Sequence, residues 1–250
     1  MSEIIINKSE HKITYLDGDK LIKTYDDTYT VSQVLNEALN QARVVEANVL
    51  APKVYEVKRY KDRLAIVMQY IKGADLQTLV KEKNDIEKYM SIFVDTQHKL
   101  FMSKVEHLNN SYGRIKNKIF AANLPANIQY GLFYKLREIE FAHDVMHGDY
   151  TLANVIIDEK NTPYVIDWSH TAFGDRKLDI AVSYALFDIS GDDRLKEIYL
   201  DKICSIENIS KEEIFDRMIL AYVYIVDRYD EETKKIIYDK IYNIIKNNEA

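Results

Sequence analysis

The sequence predicts an α+β protein with a small, β-rich N-terminal lobe and a larger, helical C-terminal lobe. Over residues 1–71, short apolar runs alternate with turn signals, and one segment with helical periodicity interrupts them. Over residues 72–250, apolar residues recur mostly at the spacing of amphipathic helices. One stretch of this second lobe departs from helical spacing, because two short apolar runs flank a turn there and predict a β-hairpin.

The N-terminal lobe is predicted to contain short strands and one helix. Asp17, Gly18 and Asp19 form a turn signal between two apolar runs, so the flanking strands should pair as a hairpin. Ser32 is a suitable N-cap for the helix, and Pro52 marks the return to extended structure. The predicted strands are Ile4–Ile6, Ile13–Leu16, Leu21–Tyr25, Val54–Lys58 and Leu64–Tyr70, and the predicted helix is Val34–Ala47.

The C-terminal lobe is predicted to be helical on both sides of its hairpin. Apolar residues at helical spacing predict two helices before the hairpin, and the capping box Ser210–Glu213 begins one of the helices after it. The predicted elements are the helices Ile86–Val105, Ile128–Phe141 and Thr233–Lys246, with hairpin strands Val155–Ile157 and Tyr164–Ile166.

The composition favours a cytoplasmic globular protein. The 250-residue chain is 47% hydrophobic and 30% charged, which is typical of soluble domains. Its one cysteine, Cys204, cannot form an internal disulfide, which fits a reducing compartment. The N-terminus lacks the features of a signal peptide, and no apolar stretch is long enough to cross a membrane. The formal net charge of -6 argues against nucleic acid as the main partner.

Three polar residues bracket the predicted hairpin. Asp149 lies five residues before Asn154, which precedes the first strand, and Asp167 follows the second strand. If the turn is centred between Lys160 and Asn161, Asn154 and Asp167 are directly opposed, with Cβ atoms about 4.5–5.5 Å apart. Their oxygen atoms could then share one divalent cation, and oxygen ligands suit Mg²⁺ better than zinc. Asp149 would be available to orient a hydroxyl and take its proton.

These residues also have a simpler interpretation, because Asp and Asn are common in the turns that flank hairpin strands. Phosphoryl transfer, however, needs groups of these types. Metal ligands hold the ion that neutralises the developing charge on the phosphates, and a positioned base orients the nucleophile. All three residues occur together, and His147 and Gly148 directly precede Asp149. This combination favours the catalytic interpretation.

The segment from His147 to Asp179 resembles the aminoglycoside phosphotransferase and choline kinase family, which has a bilobal, protein-kinase-like fold. The matching residues are HGDYTLANVIID followed by VIDW. The resemblance implies an ATP-dependent enzyme that moves the γ-phosphoryl group to a hydroxyl of a small molecule. It implies Asp149 as the catalytic base, Asn154 and Asp167 as Mg²⁺ ligands, and His147 and Asp179 as supports of the catalytic loop.

The resemblance extends to the N-terminal lobe. Lys23 lies on a predicted strand and Glu37 lies in the early turns of the following helix. The resemblance implies that Lys23 contacts the α- and β-phosphates of ATP and is held by Glu37. Glu46, later in the same helix, is the rival partner. On its own a lysine on a strand is usually a solvated residue, so this role depends on the motifs of the C-terminal lobe.

Adenine is expected to bond to backbone groups of a hinge at Met68–Gly73, with Gln69 and Ile71 as the predicted contacts. The sequence contains no G-x-G-x-x-G motif, which a protein kinase would normally place over the phosphates. The turn at Gly18 is therefore the expected counterpart of that loop.

Two other functions stay open. A Ser/Thr protein kinase would need an activation loop, but the segment between Asp167 and Asp179 is short and no A-P-E sequence follows it. A nucleotide-binding module without catalysis is disfavoured because the polar groups that catalysis requires are present. The acceptor could be aminoglycoside-like, choline-like or another hydroxyl compound, since folds of this kind serve many substrates.

Overall fold

The computed structural model describes residues 4–83, 85–139 and 141–248. The strands are, in chain order, β1 Ile4–Lys8, β2 Lys12–Asp17, β3 Lys20–Tyr25, β4 Val54–Tyr60, β5 Arg63–Gln69, β6 Gly73–Asp75, β7 Asp144–Met146, β8 Val155–Asp158, β9 Pro163–Val165 and β10 Ala172–Gly174. The helices are α1 Val31–Glu46, α2 Leu76–Lys83, α3 Ile86–Phe101, α4 Ser111–Ala121, α5 Ala126–Arg137, α6 Arg176–Ser190, α7 Asp193–Glu207, α8 Lys211–Phe215, α9 Met218–Ile225 and α10 Glu231–Asn248. Short 3₁₀ turns cover Leu152–Asn154, Trp168–His170 and Val226–Arg228.

The chain divides into two compact units that are discontinuous in sequence. The first unit is drawn from 1–84, 103–108 and 152–171, and the second from 85–102, 109–151 and 172–250. The hairpin of β8 and β9 groups with the first unit. The predicted lobe boundary between residues 71 and 72 stays a prediction.

A five-stranded antiparallel sheet, in the order β1-β2-β3-β5-β4, forms the frame of the first unit. Period-two alternation gives each of its central strands two apolar faces. One face packs against α1 through a buried cluster of Tyr25, Val34, Ala38, Ile66 and Met68. The other face carries Tyr15, Ile22, Ala65 and Val67.

The N-cap of helix α1 lies two residues before the N-cap predicted at Ser32. Its N-cap is Thr30, whose hydroxyl accepts from the amide of Gln33, while the Gln33 side chain accepts from the Thr30 amide at 2.8 Å. This reciprocal capping box satisfies two amide groups that the first helical turn leaves without partners. Ser32 therefore lies inside the helix rather than at its start.

The hairpin of β8 and β9 is present, but its register differs by one residue from the predicted one. Val155 pairs with Val165, and the Asn154 carbonyl accepts from the amide of Ile166 at 2.9 Å. The shift has a physical cause: the loop is three residues long instead of two. Asp158 closes it, because its amide donates to the Thr162 carbonyl and its carboxylate accepts from the Thr162 amide. Asn154 is consequently not directly opposite Asp167.

The second unit is mostly helical around one fully buried helix. All eight residues of α9 are buried, so this helix is apolar on every side and lies inside the unit. An aromatic cluster stacks Phe93 on Tyr150 with ring centroids 4.4 Å apart. The capping box Ser210–Glu213 is present at the start of α8, as predicted. Among the described residues, no helix combines the length and apolar character that crossing a bilayer requires.

Candidate active site

A buried ion-pair cluster lies in the first unit where β3, α1 and the end of β9 meet. Lys23 Nζ donates to Glu37 Oε1 at 2.6 Å and lies 3.3 Å from Asp167 Oδ1. The Lys23 side chain is 13% exposed and that of Glu37 3% exposed. The structure therefore brings together three residues that sequence analysis singled out, and Glu37 rather than Glu46 is the partner of Lys23.

The charges of this cluster support one another. Burial alone would lower the pKa of Lys23, but the carboxylates of Asp167 and Glu37 outweigh it, so the pKa is raised above its ordinary value. Burial alone would raise the pKa of Asp167, but Lys23 and Lys12 outweigh it, so that pKa lies well below its ordinary value. Lys23 is therefore a cation and Asp167 an anion at neutral pH.

Asp167 has an unusual backbone conformation. Its φ of 63° and ψ of 70° lie in the left-handed region, which Asp tolerates better than most residues. The conformation ends the pairing of β9, and the Ser169 hydroxyl donates to Asp167 Oδ1 at 3.0 Å. Because the Asn154 carbonyl accepts from the Ile166 amide, Asn154 lies beside the residue that precedes Asp167.

Asp167 and Asn154 offer oxygen donors of the type that Mg²⁺ prefers. Mg²⁺ in nucleotide enzymes is usually held by one or two protein side chains together with substrate phosphates. Asp167 suits such a site because its carboxylate is ionised and its side chain is 27% exposed. Within 4–83, 85–139 and 141–248, no group of three or more His, Cys, Asp or Glu side chains could hold a metal ion.

Helix α1 also contacts the segment that follows Asp167. The side-chain amide of Asn40, one turn after Glu37, donates to the carbonyls of Trp168 and Thr171 at 3.3 Å each. Asn40 is fully buried. The same helix therefore holds Lys23 through Glu37 and holds the Asp167 segment through Asn40.

Lys12 is a site residue that sequence analysis missed. Its Nζ lies 4.0 Å from Asp167 Oδ2, and with Lys23 and Asp167 it lines a cleft of about 380 Å³. Thr14 pairs with Lys23 and Lys12 with Tyr25, so these residues share one face of the β2-β3 hairpin. The hairpin register expected from the turn at Gly18 could have identified Lys12.

The turn that borders this cleft is the β1-β2 turn, not the turn at Gly18. Ser9, Glu10 and His11 line the cleft, whereas Gly18 does not. The reason is that β2 runs from Lys12 to Asp17, so the turn before it and the turn after it lie at opposite ends of the strand. The expectation that Gly18 replaces the glycine-rich loop is therefore wrong.

The segment with the HGD sequence lies in the second unit and is held by buried groups. Asp179, in the first turn of α6, accepts from the amides of His147 at 3.2 Å and Gly148 at 2.7 Å. The fully buried His147 accepts through Nδ1 from the Asp149 amide at 3.3 Å. Burial raises the pKa of Asp179, although the two amides and His147 oppose that rise. These contacts fix the backbone on both sides of Asp149.

Arg228 is a second residue that sequence analysis did not find. Its NH1 donates to Asp149 Oδ1 at 2.8 Å, and its NH2 donates to the Gly148 carbonyl at 2.9 Å. It belongs to the 3₁₀ turn Val226–Arg228, far along the chain from the HGD sequence. No local pattern could have revealed a contact of this separation.

The residues predicted to bind adenine lie at the end of β5. The Gln69 amide donates to the Lys53 carbonyl at 2.8 Å, and Gln69 pairs with Lys20 of β3. The backbone of Ile71 makes no hydrogen bond with the rest of the described chain, although its side chain is buried. Their contact with adenine stays a prediction.

Comparison with known proteins supports the resemblance seen in the sequence. The family model described as "Phosphotransferase enzyme family" matches residues 114–213, which include Asp149, Asn154, Asp167 and Asp179. Lys23 and Glu37 lie outside the matched range. Comparison with the sequences of curated proteins gives no match.

Solved structures resemble the chain over nearly its whole length. A choline/ethanolamine kinase family protein from Mesorhizobium loti aligns with a TM-score of 0.67 and 13% identity, covering 98% of this chain and 88% of that one. The aminoglycoside phosphotransferase APH(4)-Ia, in a ternary complex with AMP-PNP and hygromycin B, aligns with a TM-score of 0.69 and 12% identity, covering 98% and 93%. Identities this low show the fold alone.

The α+β, protein-kinase-like fold class predicted from the sequence is thereby confirmed. The family match over residues 114–213 and the likeness in fold also bear out the resemblance to the aminoglycoside phosphotransferase and choline kinase family that the sequence predicted.

Proposed function

We propose that this protein transfers the γ-phosphoryl group of ATP to a hydroxyl of a small molecule, with Asp149 as the base. The observation that carries the proposal is the buried cluster of Lys23, Glu37 and Asp167. Burying charged side chains costs desolvation free energy, and a fold seldom needs such a cluster for its stability. A lysine fixed by a helical glutamate beside an anionic aspartate is the arrangement that phosphoryl-transfer enzymes use for nucleotide phosphates.

The residues of the first unit would bind the nucleotide. Lys23, held in place by Glu37, would neutralise charge on the α- and β-phosphates. Lys12 adds a second positive charge on the same cleft. Asp167 and Asn154 would hold Mg²⁺, which supplies positive charge to the phosphates when it is bound. Gln69 and Ile71 would contact adenine through backbone groups.

The residues of the second unit would activate the acceptor. The Asp149 carboxylate would orient the acceptor hydroxyl and take its proton as the hydroxyl oxygen bonds to the γ-phosphorus. The bond from that phosphorus to the bridging oxygen breaks, and ADP leaves. His147 and Asp179 would hold the loop that carries Asp149 through the amides they contact.

A small acceptor is favoured over a protein substrate. After Asp167 the chain enters the 3₁₀ turn Trp168–His170, then β10, and reaches Asp179 in the first turn of α6. These elements leave no room for a long activation loop, on which a peptide substrate would dock. The related APH(4)-Ia binds a nucleotide together with a small molecule, which also favours this class of acceptor.

The test is ATP consumption by the purified protein with Mg²⁺ across a panel of aminoglycosides, choline, amino alcohols and sugars. Turnover with one class is expected, and Asp149→Asn should abolish nearly all of it. Asp216→Asn is the matched control, because Asp216 also pairs with a cation but lies on the exposed surface.

Different outcomes separate the alternatives. Phosphate appearing on a protein rather than on any panel compound would favour a protein kinase. ATP binding without turnover under every condition would leave only a nucleotide-binding module. Full activity of Asp149→Asn would refute the role of Asp149 as the base.

A further inference from the structure

Arg228 lies directly against the residue proposed as the base. Its guanidinium group contacts the Asp149 carboxylate and the Gly148 carbonyl at 2.8 and 2.9 Å. We propose that Arg228 is a positioning residue, supplied by the 3₁₀ turn after α9, that holds Asp149 in its reactive orientation. This inference rests on the proposed function, because it assigns a partner to the proposed base.

The geometry of the contact suits a positioning role. A guanidinium group is planar and presents its N–H groups in a fixed fork, so two simultaneous bonds define an orientation as well as a distance. One bond holds the side chain of Asp149 and the other holds the backbone immediately before it. Rotation of the carboxylate about its side-chain bonds would break the first bond while leaving the second in place.

The loop is held from two directions at Gly148. The Gly148 amide donates to Asp179 Oδ1 at 2.7 Å, while its carbonyl accepts from Arg228. Gly148 has a φ of 75°, a left-handed conformation that glycine adopts without steric cost. Asp179 and Arg228 therefore fix opposite sides of one peptide segment, and Arg228 extends that restraint to the Asp149 side chain.

Arg228 is itself restrained. Its guanidinium carbon lies 5.0 Å from the ring centroid of Tyr224, and that ring is 1% exposed. The Tyr224 hydroxyl accepts from Arg114 at 3.3 Å, which fixes the ring in turn. The Arg228 side chain is 17% exposed. A cation stacked on a buried ring and largely shielded from water loses little further freedom when it orients a carboxylate.

Orientation of this kind affects the chemical step more than nucleotide binding. Phosphoryl transfer depends on the alignment of the attacking oxygen, and a misplacement of about 1 Å can lower the rate about 100-fold. Loss of Arg228 should therefore reduce kcat by about tenfold to 100-fold, while the KM for ATP stays near its wild-type value.

The experiment compares Arg228→Ala and Arg228→Lys with Arg217→Ala. Arg217 is a matched control because it also pairs with an aspartate, Asp175, at 2.9 Å and is 15% exposed. Rates are measured with the best acceptor of the panel and, in parallel, as Mg·ATP hydrolysis with water as the acceptor. Unfolding midpoints are measured for each variant, so that a loss of stability is distinguished from a loss of positioning.

Three results are expected. Arg228→Ala loses kcat and Arg217→Ala does not, although both lower the unfolding midpoint. Arg228→Lys regains only part of the rate, because lysine keeps the charge but not the fork. Added millimolar guanidinium raises the rate of Arg228→Ala, because it can occupy the space that the side chain leaves.

A double-mutant comparison decides whether Arg228 acts through Asp149. In the Asp149→Asn background, Arg228→Ala should cause little further loss of single-turnover rate, because both changes remove the same function. Equal losses in both backgrounds, or an unchanged kcat in Arg228→Ala, would overturn the positioning role while leaving Asp149 as the base. Wild-type turnover by Asp149→Asn alone would instead overturn the proposed function.

Discussion

Replacement of Lys23 by methionine should destabilise the protein far more than loss of an exposed ion pair. Lys23→Met leaves the carboxylate of Glu37 almost fully buried without its cation. At 2.6 Å and an effective dielectric constant of about 20, the attraction between the two charges is about 6 kcal/mol. Part of this is offset by the desolvation of both groups, so the expected loss in free energy of unfolding is about 3–5 kcal/mol.

The double variant Lys23→Met/Glu37→Gln should recover much of that loss. It removes both charges and keeps the volumes of the side chains similar, and such replacements are often neutral. Lys58→Met is the matched control, because Lys58 pairs with Glu56 on the same sheet at side-chain exposures of 39% and 50%. Its expected cost is at most about 1 kcal/mol.

Denaturant unfolding followed by tryptophan fluorescence measures all three variants. The single tryptophan, Trp168, is fully buried in the first unit and follows Asp167, so its emission reports on the unit that contains the pair. A loss below about 1 kcal/mol for Lys23→Met, no larger than for Lys58→Met, would refute the reasoning, because the pair would then behave like a surface one. A double variant no more stable than Lys23→Met would contradict the claim that the unpaired carboxylate causes the loss.

Three further predictions concern stability. The pKa of Asp167 is lowered in the folded state, so Asp167 contributes to the free energy of unfolding above its unfolded pKa of about 4, and this contribution is lost as the pH falls below that value. Asp167→Asn should therefore make stability less dependent on pH in the acid range, as measured by Trp168 fluorescence. Gly73→Ala should lower the unfolding midpoint, at a cost of about 1–3 kcal/mol, because an added Cβ would lie 2.0 Å from the Ile157 carbonyl oxygen; a midpoint unchanged in calorimetry would contradict this contact. Tyr150→Phe should cost about 1 kcal/mol in denaturant titration, because the Tyr150 hydroxyl donates to the Phe93 carbonyl at 2.8 Å in the core; a neutral effect would show that this bond adds nothing to stability.

The sequence predicted those parts of the candidate site that are formed by elements adjacent in the chain. Lys23 and Glu37 lie on consecutive elements of the chain, a strand and the helix after it, and their pairing was predicted from the resemblance to the phosphotransferase family. The hairpin of β8 and β9 was predicted with nearly its observed strands. Its register was missed because the side chain of Asp158 bonds to the amides of Lys160 and Thr162 and makes the loop one residue longer.

Contacts between distant segments could not be predicted in this way. Arg228 reaches Asp149 across 79 positions of sequence, and its turn carries no motif. Lys12 differs from Arg228, because the register of the β2-β3 hairpin places it opposite Tyr25 and could have identified it. Pairings of long sequence separation are decided by how whole elements pack, which composition and periodicity do not specify.

The two contacts of helix α1 have a consequence for engineering the proposed nucleotide site. Glu37 and Asn40 are three residues apart, so they project from the same side of the helix. A rotation of α1 by one residue, about 100°, would withdraw both side chains together. The position of the Lys23 ammonium group and the path of the chain after Asp167 are therefore adjusted by one element. Substitutions that reorient α1 should change both at once, and altering one alone requires changes at Glu37 or Asn40 themselves.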